Sequence, residues 1–306
     1  MARLSDRDAF SFREAVRVGW RVANAAWLFA LLAFLIVAPH HASRAAIAMY
    51  AMNGDLLPKT PGPALTPSLI AIMVLSLGSC FWMVLEFFAV PWVHGAAAAN
   101  LRDRLVFPGR RPGSMLDAGN QIFGRVLVLT IVYWLVMAAC SGPEIIATQL
   151  LARQNGIDAS RNPQQMATLA THPVIIAIGI FAAAFAIIAA LILRACVAAI
   201  VCEDQGITGA IQRGASFLTN FKGEAWRLLL LGVAFYVPAF LVQQATAFGG
   251  FGWPFVAVTV AAAALAAYVD LVLQSVTIVL YLDRRRADVT VYDPHRQSST
   301  APSAAR

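Results

Sequence analysis

Six long apolar stretches dominate this sequence, at about 25–39, 67–95, 125–143, 173–201, 226–245 and 253–282. A helix needs about 20 residues to cross the hydrocarbon of a bilayer. The first stretch is shorter, and its helix is expected to begin in the amphipathic segment before it. The second, fourth and sixth are long enough to tilt or to extend beyond the bilayer. Composition agrees, with 59% hydrophobic residues, 13% charged residues and a mean hydropathy of +0.69. Soluble domains carry roughly 25% charge to cover a water-facing surface. The balance excludes a soluble globular protein, a disordered chain and a nucleic-acid-binding module. The expected class is an all-α polytopic integral membrane protein with six transmembrane helices.

The 23 basic residues give the orientation. Eighteen fall in the N-terminal segment, the second loop, the fourth loop and the tail. Four fall in the alternate loops (Arg44, Lys59, Arg153 and Arg161), and Arg194 lies inside a span. The positive-inside rule then puts both termini in the cytoplasm, in a bacterial-type inner membrane. The N-terminal apolar run has a long charged region with Asp6, Asp8 and Glu14 and no A-x-A site after it, so a retained helix is expected rather than a cleaved signal peptide. The polar segment 287–306 is expected to be a disordered cytoplasmic tail.

An internal repeat organises residues 1–286 as one domain, with copies at about 11–107, 114–204 and 208–286. Ser11, Ser114 and Thr208 each open a helical segment, with an aromatic nine residues later (Trp20, Phe123, Phe217). A proline follows the opening residue by 28, 29 and 30 residues (Pro39, Pro143, Pro238). Ser11 with Glu14 makes a capping box, and Ser114 with Asp117 a near-variant, in which hydroxyl and carboxylate satisfy free N–H groups at the helix start. Ile211 stands at that place in the third copy, where a weaker cap is expected. Each copy reads as a cytoplasmic amphipathic helix, a rising span ending near its proline, a loop and a returning span.

In the first amphipathic helix Arg13, Arg17 and Arg21 recur every four residues and form one basic stripe beside the apolar Phe12, Val16, Trp20, Ala23 and Trp27. Such a stripe either binds anionic lipid headgroups, each basic residue contributing about 1 kcal/mol, or is a solvated face that obeys the charge rule.

Near the end of the fourth span stands Glu203-Asp204-Gln205-Gly206, leading into the third amphipathic helix, and the sixth span closes with Tyr281-Leu282-Asp283-Arg284-Arg285. An acidic–Gly link into a basic amphipathic helix, with a final Y-x-D-x-R, resembles the membrane domain of glycerophosphoryl diester phosphodiesterases and its standalone six-span relatives. The resemblance covers nearly the whole chain in layout and the last third in specific residues. It implies fold and membrane location; the hydrolytic activity of the fused proteins belongs to a separate soluble barrel, for which this chain has no room.

No Walker A, G-x-S-x-G, H-E-x-x-H or EF-hand pattern occurs, and no catalytic residue, metal site or cofactor is expected. Cys80, Cys140, Cys196 and Cys202 read as small buried hydrophobes. His40, His41, His94 and His172 read as interfacial residues at span ends. The remaining candidates are ionisable or polar groups inside spans: Glu86, Arg194, Asp270 and Gln274. Arg194 lies nine residues before Glu203, Gln274 nine before Asp283, and Glu86 nine before Gly95. Nine helical residues span about 13 Å, so Glu86 and Arg194 are expected to meet, with Asp270 one turn further out. Such a centre is either a polar pathway or a neutralised pair that fixes packing, and the lack of a second cluster above or below favours the latter. The expected role is therefore non-enzymatic: binding of membrane lipid, or of a partner membrane protein, in a scaffold or regulatory role. The alternative is a small-solute or ion transporter or channel built on Glu86, Arg194 and Asp270.

Overall fold

A computed structural model describes residues 11–53, 66–107, 114–157, 169, 172–248 and 252–285, with the backbone alone at 51–53, 144, 239–240 and 243–248. These residues form eight helices and no strand. They are α1 (Phe12–Ala25), α2 (Trp27–Asn53), α3 (Pro67–Val106), α4 (Met115–Gln154), α5 (Pro173–Glu203), α6 (Ile207–Asn220), α7 (Lys222–Phe248) and α8 (Trp253–Arg284). Five of them, α2, α3, α4, α5 and α8, are long and apolar enough to cross a membrane. The expected span 226–245 falls inside α7 and is helical throughout. The chain is a helical membrane protein. The tail 287–306 lies outside the described residues.

Caps form where the sequence places them. Ser11 Oγ accepts from Glu14 N at 3.3 Å while Ser11 N donates to Glu14 at 2.9 Å, a complete capping box. Ser114 Oγ accepts from Asp117 N at 3.4 Å. The third helix begins earlier than expected: its cap is Gly206 rather than Thr208, with no side-chain cap bond. That shift of two residues takes Phe217 out of phase with Trp20. Phe217 is buried against Tyr281, whereas Trp20 is half exposed and touches Phe235 and Tyr268.

Two helix boundaries differ from the expectation. The helices run on past the prolines of the expected repeat; Pro39, Pro143 and Pro238 all lie inside helices. In apolar surroundings a helix still satisfies its backbone better than any alternative, so proline removes one bond without stopping it. The segment expected to be amphipathic is a separate helix only in the first and third of the three expected copies. There α1 and α6 each run 14 residues and break at Ala26 and Phe221. In the second copy it continues without a break into the 40-residue α4.

Packing is densest at one end of the bundle, the end that carries α1 and α6, here called basal. Buried residues concentrate at Pro91–Arg102 of α3, Leu191–Cys202 of α5 and Val269–Asp283 of α8. Runs of small residues, Ala96–Ala99 and Ala195 with Ala198 and Ala199, let backbones approach closely where apolar solvent provides no hydrophobic drive. In α1 the buried face is Ala15, Gly19 and Ala23, seated on α8. A Cβ on Gly19 would lie 2.7 Å from Val276. In α6 the buried face is Ala210, Gly214 and Phe217, seated on α5, and a Cβ on Gly214 would lie 2.9 Å from the Cys196 backbone. Towards the distal end α3 and α5 expose apolar side chains such as Leu77, Phe81, Ile180 and Phe181.

Candidate functional site

Arg194 of α5, Asp270 of α8 and Tyr236 of α7 form one network. Asp270 Oδ1 accepts from Arg194 Nη2 and, at 2.6 Å, from the Tyr236 hydroxyl. Arg194 Nη2 also reaches the Tyr236 oxygen at 3.2 Å. Gln274, one turn after Asp270, donates to the main-chain oxygen of Arg194 at 3.4 Å. A charge alone in hydrocarbon costs about 3 kcal/mol or more. Here the guanidinium and the carboxylate neutralise each other, and the phenol takes up a second carboxylate lone pair.

The network borders a partly open cavity of about 140 Å³ lined by α2, α3, α4, α5 and α8. Arg194, Asp270, Gln274, His94, Tyr133 and Thr130 give it polar walls. Phe29, Ala33, Val93, Val126 and Leu271 give it apolar ones. The Asp270 side chain keeps 35% of its surface open, against 12% for Arg194. Only Nη2 of the guanidinium is engaged in the hydrogen bonds of the described residues, so Nε and Nη1 retain N–H donors for a further oxygen.

Three of the four residues expected at this centre converge there, and Glu86 does not. Its neighbour is His40 of α2, with Nδ1 at 3.9 Å from Glu86 Oε2. The reason is a register error. A Cβ on Gly95 would lie 3.2 Å from Ile122, which is eight residues past the cap Ser114. Gly214, eight past the cap Gly206, meets Cys196 in the same way. Gly95 is therefore level with Cys196, and the residue level with Glu203 is Arg102. Glu86 sits seven residues, about 10 Å, too far towards the distal end to reach Arg194.

His94 takes the place expected of Glu86. It is not at a helix end, because α3 continues to Val106. The alanines 96–99 lose bulk but keep high helix propensity, and a drop in side-chain size there reads misleadingly as an exit from the membrane. His172 does sit at a helix end, as the N-cap of α5, where Nδ1 accepts from Val174 N at 3.3 Å. Tyr236 is the other residue missed; a hydroxyl in the middle of an apolar run was the available signal.

At the basal end a second polar assembly joins the helix termini. Glu203 accepts from the Tyr281 hydroxyl and lies 3.5 Å from both Arg213 Nε and Arg285 Nε. Arg284 reaches Glu224 at 2.7 Å. Arg125 Nη1 bonds Asp204 at 2.8 Å and the Gln205 carbonyl at 3.0 Å. Arg102, buried, donates to the Val201 carbonyl at 2.7 Å and so satisfies the last turn of α5. Arginines that count as loop charges in the sequence are thus structural ties. Arg13, Arg17 and Arg21 are different: all three are exposed, on the side of α1 opposite Ala15, Gly19 and Ala23.

The described residues contain no group of three or more His, Cys, Asp or Glu side chains able to hold a metal ion. The chain matches no family model, no characterised protein and no solved structure.

Proposed function

We propose that this chain is a non-enzymatic protein of a bacterial inner membrane that binds an amphiphilic ligand, a membrane lipid, in the cavity at Arg194, Asp270 and Gln274. The observation that carries the reading is the division of that cavity into polar and apolar walls. Apolar walls accept part of an acyl chain. Free N–H groups on Arg194 and the open surface of Asp270 suit a headgroup bearing both an acceptor and a donor. The exposed arginines of α1 fit anionic headgroups at the membrane surface. Native mass spectrometry of the protein in mild detergent tests this. The wild type should retain lipid, and Asp270→Asn with Gln274→Leu should lose most of it. Identical lipid retention in both would remove the reading. Flux of a small solute in proteoliposomes, with no lipid retained, would favour the transporter alternative, which the position of the cavity within the bundle also accommodates.

The architecture belongs to the same proposal: six spans as three pseudo-repeated hairpins, basal end and both termini in the cytoplasm. In its support, alanine stands four residues past each cap, at Ala15, Ala118 and Ala210. The position eight past each cap packs on a returning helix, with glycine on one side of every contact: Gly19 on Val276, Ile122 on Gly95, Gly214 on Cys196. The two segments that resemble the phosphodiesterase membrane domain meet through Tyr281 and Glu203, which supports treating them as a unit. A periplasm-active reporter fused after Asn53 or Asn155 should be active, and after Arg110 or Ser298 inactive. Activity at Ser298 would refute six crossings.

A further inference from the structure

His40 and Glu86 face each other across the α2–α3 contact, distal to the Arg194 centre. Each side chain is 13% exposed, and Nδ1 of His40 is buried with no hydrogen-bond partner. At 3.9 Å the pair is too far apart for a hydrogen bond. Leaving Nδ1 unsatisfied in an apolar environment is unfavourable. The imidazole also bonds the Ser79 backbone. Nδ1 itself has no partner, so that bond holds the ring hydrogen on Nε2, and Nδ1 and the carboxylate present lone pairs to each other. A proton on either atom turns that opposition into a hydrogen bond of about 2.8 Å.

Few other ionisable groups compete. His41, with ring centroids 5.9 Å from His40, and Arg44 one turn further lie on α2 itself. The facing stretch of α3, Pro67–Pro91, carries Cys80 besides Glu86. At this level α4 offers Tyr133 and Cys140, and Trp253–Ala267 of α8, which packs on α2, has none. The pair also joins two walls of the cavity. His40 is two turns beyond Ala33, and Glu86 two turns before Val93, both of which line it.

We propose that His40 and Glu86 form a proton-binding site that takes up one proton between them and draws α2 and α3 together by about 1 Å, setting the width of the cavity beneath. No covalent bond between heavy atoms forms or breaks; the proton comes from solvent and returns to it. The site stands whatever the cavity holds. The test is pH-difference infrared spectroscopy of the full chain in nanodiscs. The wild type should show a reversible carboxyl or imidazole signal that Glu86→Gln abolishes. His40→Gln should move its midpoint by about one pH unit or more. If Glu86→Gln fails to fold, Glu86→Asp should keep a titrating signal with a shifted midpoint. A spectrum unchanged by Glu86→Gln, or midpoints unmoved in His40→Gln and Glu86→Asp, overturns the proposal.

Discussion

Arg194→Leu should lower the stability of the protein by about 3 kcal/mol or more, and adding Asp270→Leu should return at least half of that loss. Removing the guanidinium strands the Asp270 carboxylate, which then keeps only the Tyr236 hydroxyl and, beneath it, a partly apolar cavity. Breaking a buried pair costs about 3–5 kcal/mol, while replacing both members by apolar residues is often close to neutral. The contrast with an ordinary interhelical hydrogen bond is large, since those average about 0.6 kcal/mol in membranes. Tyr236→Phe, which removes only a hydroxyl, should therefore cost about 1 kcal/mol. Thermal unfolding in one mild detergent, for the two single mutants and the double, measures the coupling. Strictly additive losses from Arg194→Leu and Asp270→Leu would contradict a neutralised pair. Glu86→Leu, by contrast, should give no rescue of Arg194→Leu, because Glu86 faces His40.

Gly214→Leu should destabilise the protein by about 3 kcal/mol, at or beyond the upper end of ordinary overpacking, and Gly19→Leu by a similar amount. At both sites even a Cβ meets backbone atoms of the facing helix, at 2.9 Å from Cys196 N and 2.9 Å from Val276 N. Backbone cannot rotate out of the way as a flexible side-chain end can. The surface helix must lift off α5 or α8, and with α6 would go the Arg213–Glu203 contact. Gly124→Leu is the control, since nothing lies within 4 Å of a Cβ there and a better helix former replaces glycine. It should leave the midpoint unchanged or raise it. Equal losses at Gly214 and Gly124 would show that the close approach is not what glycine serves.

Physical signals of different strength explain what the sequence revealed. Apolar stretches and capping residues carry local information, so the helices and the caps Ser11 and Ser114 are read correctly. Arg194, Asp270 and Gln274 stand out because polar groups are costly in apolar runs, and they do converge. Pairing is a different matter, because it depends on register between distant helices, and register is set by side-chain size at contacts. Gly95 against Ile122 is such a contact, and nothing in the α3 segment by itself says which residue of α4 it meets. The proline positions and the alanine-rich segment misled for a related reason. Pro39, Pro143 and Ala96–Ala99 are boundary signals in water, where an unpaired backbone finds solvent, and lose that meaning where it does not. His94 stands where shrinking side chains read as a membrane edge, and Tyr236 stands among apolar neighbours, with Phe235 and Val237 beside it.

The seating of α1 on α8 carries a consequence for how the protein is made. Translation produces α1 first and α8 last among the eight helices, yet the Ala15–Gly19–Ala23 face of α1 has its counterpart on α8. Until α8 emerges, that face stays uncovered, α2 lacks one of its two principal neighbours and Arg194 waits for Asp270. The nascent chain therefore passes most of its synthesis with α3 able to pack on α4 and α4 on α5, while α1 and α2 lack the helix that covers them. A ribosome stalled before Trp253 would release a product that holds α1 to α7 and lacks α8. In that product Arg194 keeps only the Tyr236 hydroxyl, among its described partners, and no carboxylate to neutralise it within an apolar run.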